Sequence, residues 1–343
     1  MKIVFVIIII NNLERYESCK PLLPGFDGRK VSLFDNSIIG SCNGLVCFLS
    51  NKLLEGYPVF IICNPVTGEY INLQRNRSLH PQWQDPVGGF GYIISTNEYK
   101  VVRFYRSDYE FDRKIHAHVY TLGSQVGWRI IDDKIPIGRY SKFVSSGIFA
   151  NGAIHWLETH NNGIAPEVNI VAFDLADEKF KSVTSPSREK RAVPKRALLG
   201  GNLCVVFHLR ESIDIWAFKK NVNNKRVGLL PSKKKMIKER LPINRPKKKA
   251  RQMHYDRTWR WSKEFSIPCK RPWWYNPFAI TENNEVLIWD KDTTTPQSIH
   301  CYDPNNTSTL HKSSDAYLDT YGSCLQLTPH MNTLVSLKDL GVF

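Results

Sequence analysis

The chain has 343 residues, 42% hydrophobic, 12% aromatic and 23% charged, enough apolar material for a sizeable core and too much for a wholly disordered chain. Its net charge of +15 points toward nucleic acid until the distribution is read: 14 Lys or Arg against the single acid Glu239 fall between Lys219 and Arg251, so that stretch carries +13 and the remainder +2. A basic binding face would spread its charge over the fold. This stretch, with Pro231, Pro242 and Pro246, reads instead as an insert, and nucleic acid is not the expected partner.

In chain order, the first feature is the apolar run Ile3 to Ile10. It is too short to span a bilayer and leads into NNLERYESC without a small-residue cleavage site, so neither a membrane span nor a signal peptide is expected. All its residues except Phe5 are β-branched, which predicts a buried strand. Residues 1–36 continue through Pro21, Pro24, Gly25 and Gly28, poor material for a multi-helix module, and form an N-terminal segment able to supply a ring-closing strand. Eight cysteines are scattered without a CxxC pair in a chain far too large to be a disulfide-stapled mini-domain. Reduced, mostly buried thiols and a cytoplasmic or nuclear location, or both, are the expectation.

From residue 37 a weak repeat sets in. Its first half is a turn of the Asn-Gly type followed by a short apolar strand: NGLVCF at Asn43, NGAIHWL at Asn151, GGNLCVVF around Asn202 and ENNEVLIW around Asn284. Asn and Gly tolerate positive φ, which tight hairpin turns require. The second half is strand, polar turn, strand: IICNPVTGEYINL from Ile61, VYTLGSQVGWRII from Val119, VAFDLADEKFKSV from Val171 and IHCYDPNNTSTLH from Ile299. Asn43 and Asn151 are two steps of 54 apart, Asn202 follows after 51, and Asn284 follows after 49 once the 33-residue basic stretch 219–251 is set aside. An even step of about 50 residues with dense strand signals predicts an all-β, kelch-like β-propeller of about five or six blades over 37–343, interrupted by one basic insert at 219–251. An irregular pair of β-sandwiches would not by itself produce the even step.

The ordered motifs carry a family resemblance. SIIGSCNGLVCF followed by FIICNPVTGEYINL resembles the opening of the plant F-box-associated domain, and GFGYIISTNEYKVVRFY, VYTLGSQVGWRII, GIFANGAIHWL, IVAFDLADEKFKSV, WRWSKEFSI and IHCYDPNNTSTL follow in the family's order, from Ser37 to Leu337. The resemblance implies a protein-interaction module like the substrate-recognition part of Skp–cullin–F-box ubiquitin ligase receptors, with an unknown protein substrate as partner and the Skp adaptor and cullin as the family's further partners. Residues 1–36 contain no recognisable F-box, so the expectation for this polypeptide is a partner-binding domain, truncated or decoy in form, that does not itself hold the adaptor.

Gly40 and Gly44 suit positions of unusual φ, Asn43 a turn, Asn64 and Pro65 a turn start, and Trp128, Trp156 and Phe180 core anchors between blades. Blade-connecting loops carry the contact aromatics Trp83, Tyr109, Tyr140, Trp273, Trp274 and Tyr275, residue types enriched at binding hot spots. Lys233, Lys234, Lys235, Lys247, Lys248, Lys249 and Arg251 resemble the two clusters of a nuclear import signal; a passive solvated loop is the favoured reading of the stretch, and non-specific RNA contact the least favoured. No HExxH, GxxxxGK, GxSxG or GxGxxG motif occurs, and GGFG at Gly88 lacks the setting of a dinucleotide loop. His116 and His118 share a strand face without an evident third ligand and read as solvent-facing; Asp132, Asp133, Asp290 and Asp292 read as loop carboxylates. No cofactor, metal or catalytic residue is therefore expected, and the chain is read as a non-enzyme. The competing readings are a catalytic β-propeller and a nuclear or nucleic-acid-associated basic protein.

Overall fold

The computed structural model describes residues 4–9, 36–54, 57–73, 87–106, 115–137, 142–143, 146–161, 166–186, 195–220, 259–290, 298–306, 310–312, 325–331 and 333–341. Five antiparallel sheets follow one another along the chain as the blades of a propeller. Blade 1 is β2 (Asn36–Cys42), β3 (Leu45–Leu54), β4 (Tyr57–Cys63) and β5 (Tyr70–Asn72). Blade 2 is β6 (Val87–Ile93), β7 (Glu98–Arg106), β8 (Ile115–Thr121) and β9 (Trp128–Ile130). In blade 3 the first position is split between β10 (Lys142–Phe143) and β11 (Ile148–Ala150), both pairing β12 (Ala153–Asn161), followed by β13 (Pro166–Asp174) and β14 (Lys179–Val183). Blade 4 is β15 (Lys195–Leu199), β16 (Asn202–His208), β17 (Ser212–Lys220) and β18 (Trp259–Pro268). Blade 5 is β19 (Tyr275–Ile280), β20 (Val286–Asp290), β21 (Ser298–Tyr302) and β22 (His311–Lys312). Among the described residues, helix is limited to one 3-10 turn, Pro272–Trp274. The blade count falls at the lower of the two expected values.

The repeat halves map onto equivalent hairpins. The turns between first and second strands hold positive φ at Asn43 and Gly44, Asn151 and Gly152, Gly200 and Gly201, and Asn284. The missing member is Asn97, at φ 56°, which stands 54 residues after Asn43 and 54 before Asn151; its neighbour is Glu98 rather than glycine, so the dipeptide signal was lost. The second half supplies the turns between third and fourth strands in blades 1, 2, 3 and 5. In blade 4 that place is taken by residues 221–258, outside the described residues. Lys219 and Lys220, counted with the insert from sequence, instead complete β17, where Lys219 Nζ lies 2.7 Å from Glu264 Oε2.

Blades are joined by cores that lie between them. Val102, Phe104 and Val119 of blade 2 pack against Ile154, Trp156, Phe173 and Phe180 of blade 3, and corresponding clusters join blades 1 and 2, 3 and 4, and 4 and 5. Each fully buried Leu, Ile, Val or Phe in such a seam contributes about 1.5–3 kcal/mol. The run VGGFGYI on β6 explains itself here. A Cβ at Gly89 would stand 2.7 Å from Trp156 Cζ2, and one at Gly91 2.5 Å from Phe149 Cδ2, so the glycines let β6 lie flush against blade 3. Gly40 needs a correction of the same kind. Its φ is not positive; it sits at a register shift in the β2–β3 ladder, with room for a Cβ only 3.3 Å from Phe90 Cβ.

A polar latch reinforces the seam between blades 2 and 3. Lys100 Nζ, buried, donates to the Leu175 carbonyl (2.9 Å) and to Glu178 Oε1 (2.8 Å), while Arg129 grips both oxygens of Glu178. Burial pushes the Glu178 carboxyl up, but hydrogen bonds from Arg129 and Lys100 outweigh it and hold the group below its ordinary value. Removing the charge with Glu178→Gln strands a buried ammonium, so the unfolding free energy should fall by about 2 kcal/mol, between the values for exposed and fully buried pairs. Denaturant titration of the variant checks this.

Among the described strands, no blade mixes N- and C-terminal segments. Instead β1 (Val4–Ile9) pairs in parallel with β23 (Leu325–His330), and β23 touches the first strands of blades 1 and 5. Its His330 Nδ1 meets Ser41 Oγ of β2 at 2.8 Å.

Candidate functional site

Strand alternation gives the propeller two unlike faces. Turns joining first to second and third to fourth strands open on one face, and in four of the five blades they are short. The second-to-third turns and the links between blades open on the other face, and several of these are long: 74–86, 107–114, 131–147 and 269–274. Of the six aromatics expected to make contacts, three are among the described residues, and they belong to this long-link face. Trp83, Tyr109 and Tyr140 lie outside the described residues. Trp273, Trp274 and Tyr275 close the link from blade 4 to blade 5.

These last three form an organised corner. The backbone N–H of Cys269 donates to the Glu211 carbonyl at 2.9 Å, tying the link to the β16–β17 turn. His208 Nε2 donates to the Tyr275 carbonyl at 2.8 Å, and the His208 ring stacks on Trp273 at 6.1 Å between centroids. Pro272 is buried and starts the 3-10 turn, where its fixed φ is favourable and no N–H is needed. Held this way, Trp273 is 62% exposed and Trp274 38%, while Tyr275 is half-buried, edge-on to His300 at 5.3 Å. Tyr275 thus supports the corner rather than facing outward. Arg210, Lys270 and Arg271 are exposed around the two tryptophans, with Glu211 the one acid on the same two segments. Sequence reading missed these cations because each is ordinary alone; only the tie between residues 211 and 269 gathers them.

Behind Tyr275, Ser298 Oγ lies 3.0 Å from His300 Nε2 and Asp290 Oδ2 3.7 Å from the same nitrogen. A serine–histidine–carboxylate relay needs the two partners on opposite ring nitrogens. Here both crowd Nε2, and Ser298 and Asp290 are buried, so the trio packs blade 5 and does not form a relay. Asp290 is thereby not the solvated loop carboxylate expected.

His118 also departs from expectation. It is buried, not solvent-facing, with Nδ1 at 3.5 Å from Arg103 Nη2 and its ring edge-on to Tyr105 at 5.1 Å. Arg103, itself buried, places its guanidinium carbon 3.6 Å from the centre of the Trp128 ring. Desolvation, only partly offset by Tyr105, draws its pKa down to about 10. Trp128 therefore sits between blades 1 and 2 as a cation–π partner that also packs against Phe60 and Tyr120. Trp156 and Phe180 lie in the seam of blades 2 and 3, and Asn43, Gly44, Asn64 and Pro65 on the tight-turn face of blade 1. The import-signal residues from Lys233 to Arg251 lie outside the described residues. No group of three or more His, Cys, Asp or Glu suited to a metal ion occurs among the described residues, and their six cysteines are free thiols.

A sequence profile of the F-box associated beta propeller domain matches residues 13–240, well over half of the chain. The chain belongs to that family. An F-box protein of Arabidopsis thaliana is 30% identical over 55% of this chain and 48% of its own length, and an F-box/kelch-repeat protein of the same plant is 28% identical over 56% and 51%. The chain thus spans about half the length of the curated relatives it matches. A solved lectin of Aleuria aurantia bound to α-methyl-L-fucoside superposes with a TM-score of 0.43 at 9% identity, over 82% of this chain and 79% of that one. The profile ends inside the basic segment, and the described strands from Trp259 to Lys312 complete blades 4 and 5 beyond it.

Proposed function

We propose that this F-box-associated propeller is a substrate-recognition domain of the ubiquitin-ligase receptor kind, a protein-binding module and not an enzyme, whose long-link face holds the partner. The observation that carries the reading is the pair of exposed tryptophans, Trp273 and Trp274, held out by a buried proline and a stacked histidine on a rigid blade junction. Large rigid aromatics at low conformational cost are the residues most often responsible for binding energy. Their rim of Arg210, Lys270 and Arg271 favours a partner segment bearing carboxylates, which the cations would steer and orient. Docking to the Skp adaptor is a separate property, supplied in such receptors by the helical F-box, and the propeller alone does not provide it.

The test is affinity capture from plant extract with three forms of the chain: as given, with Trp273→Ala and Trp274→Ala together, and with a helical F-box joined at Met1. A protein retained by the first form and weakened about tenfold or more by the double variant, with the melting curve unchanged, supports the reading. Skp and cullin subunits should accompany the third form only. Identical capture by the first two forms, or stoichiometric salt-resistant Skp binding to the chain as given, would overturn it.

A further inference from the structure

We propose that the groove between blades 1 and 2 on the tight-turn face is a peptide-binding site, occupied in this chain by its own residues 333–341. The segment follows β23 but joins no sheet, and it is held by side chains nearly 270 positions away in sequence. Asn64, buried, uses its Oδ1 to accept the Val66 N–H at 2.8 Å, closing its own turn, and its Nδ2 to donate to the carbonyls of Thr333 (3.0 Å) and Val335 (2.7 Å). Glu69, five residues on, accepts the Leu337 N–H at 2.8 Å and the Ser336 hydroxyl at 3.1 Å. Leu337 is fully buried among Leu45, Leu73, Tyr99 and Tyr120, with Val335 and Leu340 half-buried beside it.

The receiving surface has glycine at two points of close approach, one to a side chain of the segment and one to its main chain. Gly44 has φ +84° and a Cβ there would stand 1.6 Å from Thr333 Oγ1; Gly123 has φ +78° and its Cβ would stand 2.1 Å from the Leu340 carbonyl oxygen. Three of the segment's main-chain groups, two hydroxyls (Ser336 on Glu69, and Thr333 on the Asn43 carbonyl at 3.5 Å) and one leucine side chain are thus read by groups belonging to finished blades. The ligand class is a peptide of the pattern Thr-x-Val-Ser-Leu whose chain turns just after the leucine, where the Gly341 N–H donates to the Lys338 carbonyl at 2.9 Å. Covalent attachment through Met331 keeps such a peptide at a high effective concentration, of roughly millimolar order for a short tether, which accounts for its seating without any further contact. The Asn64 turn lies in the family motif read from sequence; its second task, clasping a distant segment, has no local sequence signal.

The experiment uses the full chain with a protease recognition sequence placed after the exposed Met331. After cleavage, a fluorescent synthetic peptide spanning Thr333–Phe343 is added and anisotropy is read. Saturable uptake by the cleaved chain, absence of uptake by the uncleaved chain, and weakening of about tenfold or more with Asn64→Ala, Glu69→Gln or a peptide carrying Leu337→Asp support the proposal. A folded cleaved chain that takes up no peptide overturns it. Because loss of the segment can unfold the chain, a second measurement uses the uncut chain with Leu337→Asp in hydrogen exchange. Rapid exchange confined to 333–341, with blades 1 and 2 still protected, is the result expected of a separable ligand. Loss of protection in the blades together with the segment makes it part of the core and overturns the proposal.

Discussion

Replacing Trp156 with alanine should lower the unfolding free energy by about 3–5 kcal/mol, the range for emptying a large aromatic from a packed core. The residue has no exposed surface and is the largest of the fully buried side chains among the described residues. Its indole lies edge-on to Phe104 at 4.8 Å and beside Phe143 at 6.3 Å, and its Nε1 donates to the Gly88 carbonyl at 3.0 Å. That carbonyl also accepts the Gly147 N–H at 2.6 Å, so the first strand of blade 2 and the entry to blade 3 are fastened at the place where the indole packs. The pocket is walled by backbone: a Cβ at Gly147 would stand 2.6 Å from Trp156 Cε2. Glycine-walled space closes poorly when the ring is removed, because collapse would have to move strands. Trp156→Phe should cost less, since it keeps most of the volume and loses one hydrogen bond, itself worth about 1 kcal/mol. Urea titration followed by circular dichroism separates the two. A Trp156→Ala midpoint close to that of the unaltered chain would show that blades 2 and 3 are held by other contacts.

Legibility in the sequence followed the range of the interaction. Turn chemistry is local, so the Asn-Gly turns at Asn43 and Asn151 and the Asp174 turn were readable, and with them the step between blades. Asn97 escaped because positive φ there is carried by asparagine without a following glycine. Glycines on strands misled in the other direction. Gly40 and the GGFG run have no turn to make; they are small because a neighbouring blade approaches closely, and nothing near them in sequence announces that blade. Buried polar groups were hardest. His118 occupies an alternating strand position that local pattern assigns to solvent, and it is covered because Arg103 and Tyr105 fold over the same side of blade 2. The candidate site divided along the same line: aromatic type and loop position pointed to Trp273 and Trp274, whereas the cations beside them came together only through the hydrogen bond from Cys269 to Glu211.

Stability should fall as pH drops from neutral to 5, with His118 and His330 each contributing to the slope. Desolvation draws both His118 and His330 down to about 4, and in His118 the positive charge of Arg103 and the neighbouring His116 add to it. In the unfolded chain each titrates near an ordinary value of about 6.5. Between those values the unfolded chain binds more protons than the folded one, so stability rises with pH across the window; the contribution is complete above about 6.5 and is lost as pH falls toward 4. At pH 5 each site costs about 2 kcal/mol relative to neutral pH, from the separation of the folded and unfolded values. The depressed carboxyls Asp174, Glu178 and Glu264 have the opposite assignment of charge, and their contribution is lost only below the ordinary carboxyl range, so a series from pH 7.5 to 5 isolates the histidines. The two sites are well separated, His118 beside Arg103 in blade 2 and His330 on β23 against Ser41, so their effects should add. Denaturant titrations across the series should therefore show a loss smaller by about 2 kcal/mol in His118→Gln or His330→Gln than in the unaltered chain, and smaller by about 4 kcal/mol in the double variant. A flat series, or a slope identical with and without both substitutions, would mean that neither imidazole is kept neutral by the fold.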